Sequence, residues 1–284
     1  MSQYSLSAYG QMIADRQRTD AYLAALRQSI RPGCTVLEIG AGIGFFAFMA
    51  LRLGAGTVYA IEQDRSIEVA RQIARANNVE GIHFIEDVST RVDLPCRADV
   101  VFSDLRGVLP LCQQHIPSIA DARRRLLASG GTLVPQCDTI WASPVEATEL
   151  YARTADPWGE SLCELDMSAA RSLLLNGWRK ARVDPAQLLA EPSQWAQIDY
   201  TTVEEPDVRG LLQWTVARAG AAHGICAWFD TILVPGIGFS NAPSQPEAIY
   251  GSAFFPFSEP LAVDAGDVIS VDLRADLVGD DYVW

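Results

Sequence analysis

Between Val36 and Gly44 the chain reads VLEIGAGIG, a short strand pattern running into glycines at three alternate positions, Gly40, Gly42 and Gly44. Glycine has no Cβ, so the backbone there can turn tightly after a strand and approach a ligand closely. About 20 residues on, the apolar run Val58–Ile61 ends in Glu62, where doubly wound nucleotide-binding sheets carry the acid that accepts from ribose hydroxyls. Glu38 precedes Gly40 by two residues, and Asp87 and Asp104 follow two further strand-like runs, Ile82–Ile85 and Asp99–Phe102. Acids collected at one sheet edge beside a glycine turn describe an adenosine-binding site. The spacing argues against a dinucleotide, because G-x-G-x-x-G wants glycine or alanine in sixth place, and Phe45 stands there.

The elements that must hold these residues alternate. Residues 4–30 read as helical, with Met12, Ile13, Tyr22, Leu23 and Leu26 as an apolar stripe, ended by Pro32 and Gly33. The strand Val36–Ile39 is followed by a helix through Leu51. The strand Val58–Ile61 is followed by a helix from Ser66 to about Asn77, with Ser66 as candidate N-cap. After the strands at 82–85 and 99–102 comes a helix over Pro117–Ala128, closed by Gly130 and Gly131; its Arg123, Arg124 and Arg125 suit the helix dipole. Strands alternating with helices predict an α/β fold with a doubly wound parallel sheet, which binds ligands beyond the carboxyl ends of its strands. Strands are also predicted at Leu133–Val134 and Thr139–Ser143. Near residue 146 the character changes. Residues 150–190 are mixed, with helical patches around Ser168–Trp178 and Pro185–Leu189, and from about Trp195 short strands punctuated by prolines predict a β-sandwich or barrel. The chain stops at Trp284 without turn residues after it, which predicts a barrel lacking a final strand.

Composition narrows the function. The hydrophobic fraction is 49%, enough for a sizeable core. No apolar run reaches the ~18 residues of a membrane helix, and MSQYSLSAYG lacks the basic end and apolar core of a signal peptide. Six scattered cysteines, Cys163 among them, with no C-x-x-C, suit reduced thiols in a cytoplasm. None of the three histidines is paired at ligand spacing, so no metal site is expected. A net charge of −13 repels phosphate backbones, which argues against nucleic acid, and it favours a cationic substrate or simply solubility.

The motifs together resemble the protein arginine methyltransferases over nearly the whole chain. VLEIGAGIG resembles motif I of class I methyltransferases, which bind S-adenosylmethionine. Met12, Asp15, Arg18 and Thr19 match the family's M-x-x-D-x-x-R-T helix, and the segment Ser103–Arg123 aligns without a gap to its double-glutamate loop. Asp166, Met167 and Ser168 match the D-M-S of a dimerisation arm, with Val183, Asp184, Pro185 and Leu188 after it. His223, Gly224, Ala227, Trp228, Phe229 and Asp230 match a barrel strand of the family. The resemblance implies three parts: an N-terminal helical segment, 1–30, closing over the cofactor; a Rossmann-like domain, 31–145; and a β-barrel domain, 146–284, with a dimerisation arm at about 150–190. It also implies a homodimer.

By the same resemblance Arg18 holds the carboxylate of the cofactor's methionine part, Glu62 its ribose, and Asp87 with Val88 its adenine. Tyr9 and Met12 belong to the closing segment, and Glu38, Gly40, Gly42 and Gly44 to the cradle. Arg18 also reads as a solvated helix arginine and Asp87 as a turn former. On the substrate side the sequence departs from the family. The first loop glutamate is Asp104, the second is the uncharged Gln113, and the family's threonine-histidine-tryptophan loop is Ala248, Ile249 and Tyr250. Guanidinium recognition favours planar, bidentate acceptors, so the cofactor half reads as intact and the substrate half as rebuilt. Asp104, Gln113 and His115 are the candidate catalytic residues, although a lone histidine reads more simply as structural. Three functions remain: a methyltransferase for a small molecule, free amino acid or pathway peptide; an arginine N-methyltransferase using one carboxylate; or a non-catalytic partner subunit that still binds cofactor.

Overall fold

The computed structural model describes residues 4–158 and 165–284. Cys163, and the part of the expected arm between 159 and 164, lie outside the described residues.

The N-terminal segment is two helices, α1 (Leu6–Ala14) and α2 (Arg16–Ser29), and not one. They break at Asp15, whose backbone is extended and whose carboxylate accepts from Arg18 N at 3.2 Å. This is N-cap chemistry. The other Asp15 oxygen accepts from Ile249 N at 2.7 Å, tying the start of α2 to a distant loop.

Next come β1 (Thr35–Ile39), α3 (Phe45–Arg52), β2 (Thr57–Ile61), α4 (Ser66–Ala76), β3 (Ile82–Ile85), β4 (Ala98–Ser103), α5 (His115–Arg125) and β5 (Leu127–Val134). The five strands form one parallel sheet in the order β3-β2-β1-β4-β5. Neighbouring connections run to opposite sides of β1, so a switch point opens beyond the carboxyl ends of β1 and β4. β1 and β2 are buried after their first residue, as strands covered on both faces must be.

The chain continues with β6 (Cys137–Val145), α6 (Thr148–Ala155), α7 (Ser168–Leu175), β7 (Arg179–Ala181), β8 (Ser193–Asp199), β9 (Val208–Thr215), β10 (Gly220–Val234), β11 (Ile237–Ser240), β12 (Ser252–Val263), β13 (Val268–Val278) and β14 (Asp281–Val283). One antiparallel sheet has the order β7-β12-β10-β6-β8, with β11 on β10, and another the order β14-β13-β9. A single apolar cluster joins Leu37 and Val101 of the parallel sheet to Trp195 and Trp214 of the antiparallel part.

Several local expectations change. Ser66 is not the N-cap of α4 but its first residue; its N–H donates to Asp64 Oδ1 at 3.0 Å. α5 starts at His115, and Gly130 and Gly131 lie within β5 instead of closing the helix. The arginines of α5 do more than face a dipole. Arg123 donates to Tyr200 O at 2.7 Å, and Arg124 pairs with Glu204, which fastens the helix to the loop after β8. β6 pairs with β10 and β8, so a strand that precedes residue 146 sits in the antiparallel sheet. The last strand, β14, pairs with β13 through a turn at Gly279 and Asp280. Among the described residues no helix is long and apolar enough to cross a membrane.

Candidate active site

A cavity of about 660 Å³ opens at the switch point, within the size range of small-molecule sites. Its wall includes Tyr9, Met12, Arg18, Glu38, Gly40, Glu62, Asp87, Val88, Asp104, Gln113 and His115. Gly42 and Gly44, also expected in the cradle, are not part of that wall. Gly42 N donates to Glu62 Oε2 at 2.8 Å, and a Cβ on Gly42 would lie 2.4 Å from the Tyr9 ring. Gly44, at φ +77, starts α3 and is packed against Ala70 of α4.

On the β1–β2 side the carboxylates point at backbone donors. Glu62 accepts from Gly42 N and from Asp64 N at 2.9 Å, while burial raises its pKa. Glu38 is buried and its Oε2 has no partner; desolvation raises its pKa well above the ordinary carboxylate value. Asp87 accepts from Val88 N at 2.7 Å and from Arg91 Nε at 2.8 Å, and these two bonds lower its pKa. Tyr9 caps this side, its hydroxyl donating to Ser66 Oγ at 3.3 Å. Met12 contributes a backbone carbonyl, which accepts from Arg18 Nη1 at 3.2 Å.

On the β4 side Asp104 is encircled. Its Oδ2 accepts from Arg18 Nε at 2.6 Å and from Tyr250 Oη at 2.6 Å. Its Oδ1 accepts from Arg106 Nε at 3.1 Å. Burial alone would raise the Asp104 pKa, but the two guanidinium groups and the Tyr250 hydrogen bond hold it at about 2. Arg106 is itself fully enclosed. It donates to Asp138 Oδ1 at 3.0 Å, to Thr231 Oγ1 at 2.8 Å and to the Tyr22 hydroxyl. Its guanidinium carbon lies 5.3 Å from the Phe229 ring centre and 5.5 Å from that of Phe239, within cation–π range. The chain thus houses one of its own guanidinium groups in an acid and aromatic cage beside the cavity.

Gln113 sits at φ +44, a left-handed conformation uncommon for a residue with a side chain. His115 is buried at the start of α5. Its Nδ1 donates to Pro110 O at 2.9 Å, and its Nε2 has no partner among the described residues. Burial lowers its pKa, so the ring is neutral near pH 7.

Sequence reasoning passed over Arg106, Tyr22, Asp138 and the Tyr250 hydroxyl. Arg106 was detectable as a cation inside the otherwise apolar run Leu105–Leu111; the others come from segments far apart in the chain.

This sheet order, with its acid-lined cavity at the strand ends, defines a class I methyltransferase-type domain joined to an antiparallel β domain. Comparisons with known proteins agree. Residues 136–277, half of the chain, match the family described as "Arginine methyltransferase oligomerization subdomain", and residues 15–143 match "Ribosomal protein L11 methyltransferase (PrmA)". Protein arginine N-methyltransferase 6 of Xenopus tropicalis is 28% identical over 284 residues, covering 94% of this chain and 83% of that protein. An arginine N(omega)-methyltransferase of Streptomyces achromogenes subsp. streptozoticus is 28% identical, covering 92% and 74%. Among solved structures, the Trypanosoma brucei PRMT1 enzyme–prozyme heterotetrameric complex with AdoHcy superposes with a TM-score of 0.86 at 19% identity, covering 96% of this chain and 88% of that one. Arabidopsis thaliana protein arginine methyltransferase 10 gives 0.78 at 24%, covering 95% and 87%.

The chain belongs to the arginine methyltransferase family. It is an S-adenosylmethionine-dependent methyltransferase carrying that family's oligomerisation subdomain. The residues present fit the cofactor. The Glu38 Oε2 is buried and unsatisfied at the cavity wall, and such an atom costs about 1–3 kcal/mol until a donor meets it. Gly40, at φ +75, leaves open a space into which a Cβ would intrude against Leu105.

Proposed function

We propose that this enzyme methylates a nitrogen on a small molecule, a free amino acid or a short pathway peptide, and not the arginine of an ordinary protein. The observation that carries this reading is Asp104. Both of its oxygens are taken by the chain's own Arg18 and Arg106, and the second loop position is the uncharged Gln113. A substrate guanidinium arriving at this wall finds its first carboxylate already neutralised and no second one in the loop. The Streptomyces relative, whose name gives arginine as its substrate without the word protein, also favours a small acceptor.

The cofactor supplies an electrophilic methyl group on a sulfonium. The roles of the chain's residues follow from their surroundings. Glu62, fixed by two backbone amides, would take the ribose hydroxyls. Glu38 would meet a donor of the cofactor's amino acid part, and Arg18 its carboxylate. Val88, with Asp87 held by Arg91, would edge the adenine, while Gly40 lets the ligand lie close and Tyr9 and Met12 cover it. Asp104, with its pKa near 2, is a poor proton acceptor at neutral pH; its work is to fix Tyr250 and Arg18 at the acceptor side. Gln113 offers a carbonyl and an amide to the substrate, and His115 braces their loop. Holding acceptor and methyl carbon close and aligned accounts for much of the rate in such a displacement.

The same reading includes a homodimer. Leu165 and Leu173 of the arm region are 62% and 79% exposed, and large apolar side chains projecting from an arm suit a second copy.

The test is an acceptor panel with S-adenosylmethionine, read by mass spectrometry. Small amines and free amino acids, L-arginine included, are set against arginine-rich peptides and a histone. Methylation of a small acceptor with none on the proteins supports the proposal. Methylated protein arginine would restore the one-carboxylate arginine enzyme, and cofactor binding without any product would favour the partner-subunit reading.

A further inference from the structure

Six acids line the cavity: Glu38, Glu62, Asp64, Asp87, Asp104 and Asp280. The first four are held by backbone donors or by Arg91. Asp104 is held by two arginines. Asp280 alone makes no hydrogen bond or ion pair among the described residues. Its place is set by the C-terminal hairpin. Val278 pairs with Asp281, which leaves Gly279 and Asp280 as a two-residue turn. Gly279, at φ +63, takes the first turn position, where a tight hairpin needs glycine. Gln114 Nε2 donates to Gly279 O at 2.7 Å, so the turn is fastened to the loop that carries Gln113. Loop and hairpin together form one wall of the cavity, and its exposed carboxylate comes from the far end of the chain.

Resting on the methyltransferase reading above, we propose that Asp280 is the substrate-selecting carboxylate of this cavity, favouring an acceptor that carries an amine or guanidinium cation. It supplies the negative charge that Gln113 lacks and that Arg18 and Arg106 have neutralised at Asp104. The net charge of −13 works in the same direction by concentrating cations near the protein. Because Asp280 is exposed, its contribution is modest and sensitive to salt. It is a selecting residue at the mouth and takes no part in moving the methyl group.

The test is calorimetry on the full chain saturated with S-adenosylhomocysteine, titrated with L-arginine, putrescine and the uncharged L-citrulline. Wild type is expected to bind at least one of the two cations more tightly than L-citrulline, with the difference shrinking toward ~1 M salt, where screening acts within about 3 Å. Asp280→Asn is expected to lose about fivefold in cation affinity, equivalent to about 1 kcal/mol, while Asp280→Glu keeps it. The affinity for S-adenosylhomocysteine should be the same in all three proteins. Absence of a cation preference in wild type, or equal cation binding by Asp280→Asn, overturns the assignment of Asp280 and leaves the methyltransferase reading standing. Failure of wild type to bind S-adenosylhomocysteine removes that reading, and this inference with it.

Discussion

Arg106 Nε stands 3.1 Å from Asp104 Oδ1, two residues away in the same loop, with the Arg106 side chain fully buried. The carboxylate that relatives are expected to turn toward a substrate is turned here toward the chain itself. Arg106 also meets the buried Asp138, which in turn accepts from Tyr200 Oη at 2.7 Å. One guanidinium therefore links the strand ends of the parallel sheet to β6 and β10 of the antiparallel part.

Removing that guanidinium should be costly. Arg106→Met leaves Asp138 buried and without its cation, a situation that destabilises by about 3–5 kcal/mol. Urea unfolding should show this as a lower midpoint. Arg106→Met combined with Asp138→Asn should recover part of the loss, because the uncompensated charge is gone.

Asp104 gives a pH signature. Its folded pKa, about 2, lies below the ~3.9 of an unfolded aspartate. The lowered value means that its stabilisation is complete above about pH 4 and is lost as pH falls toward about 2. The melting-temperature difference between wild type and Asp104→Asn should therefore be flat above pH 5 and shrink over that acid window.

Glu38 predicts the opposite sign. Burial raises its folded pKa, so the folded chain keeps a proton that the unfolded chain releases above about pH 4.3. Stability then declines as pH rises. Glu38→Gln should raise the melting temperature of the cofactor-free protein at pH 8 by about 2–4 °C, with no gain at pH 4. The same variant should weaken S-adenosylhomocysteine binding, separating a residue kept for ligand from one kept for the fold.

The part of the cavity wall proposed for the cofactor was legible where its residues sit in short motifs at the ends of neighbouring strands. VLEIGAGIG and Glu62 fall on adjacent parallel strands, and the period of the pattern states which strand ends they occupy. The substrate half was not, because contact there is made across the fold. Asp104 with Arg106, and Tyr250, Asp138 and Thr231, come from four elements or loops, and no local spacing joins them. The break at Asp15 was hidden for a related reason: the apolar stripe runs through it, while the cap and the Ile249 contact that stabilise it are made by one polar side chain. Asp280 was invisible because the short terminal strand has too few residues to show an alternation.

Gly40 tests the cradle. Its φ of +75 is strained for any other residue, and a Cβ there would stand 2.4 Å from Leu105 Cδ2. A left-handed alanine costs about 1–2 kcal/mol, and the Leu105 side chain, which lines the cavity, must also shift. Gly40→Ala should weaken S-adenosylhomocysteine by about tenfold or more, measured by calorimetry, with a smaller effect on folding seen by circular dichroism.

The arm makes a separate prediction. Leu173 is 79% exposed on α7. Leu173→Glu should shift the protein from dimer to monomer by light scattering at micromolar concentration, while leaving the monomer's melting temperature nearly unchanged. A wild-type protein that is already monomeric would contradict the homodimer.

The central claim is that the edge of the parallel sheet beside Gly40 and Glu62 holds an adenosyl cofactor. Calorimetric titration of wild type and Glu62→Ala with S-adenosylhomocysteine tests it most directly. Saturable binding at one site per chain, weakened at least tenfold in Glu62→Ala, is the predicted result. No binding to folded wild type, or equal binding by the two proteins, would contradict it.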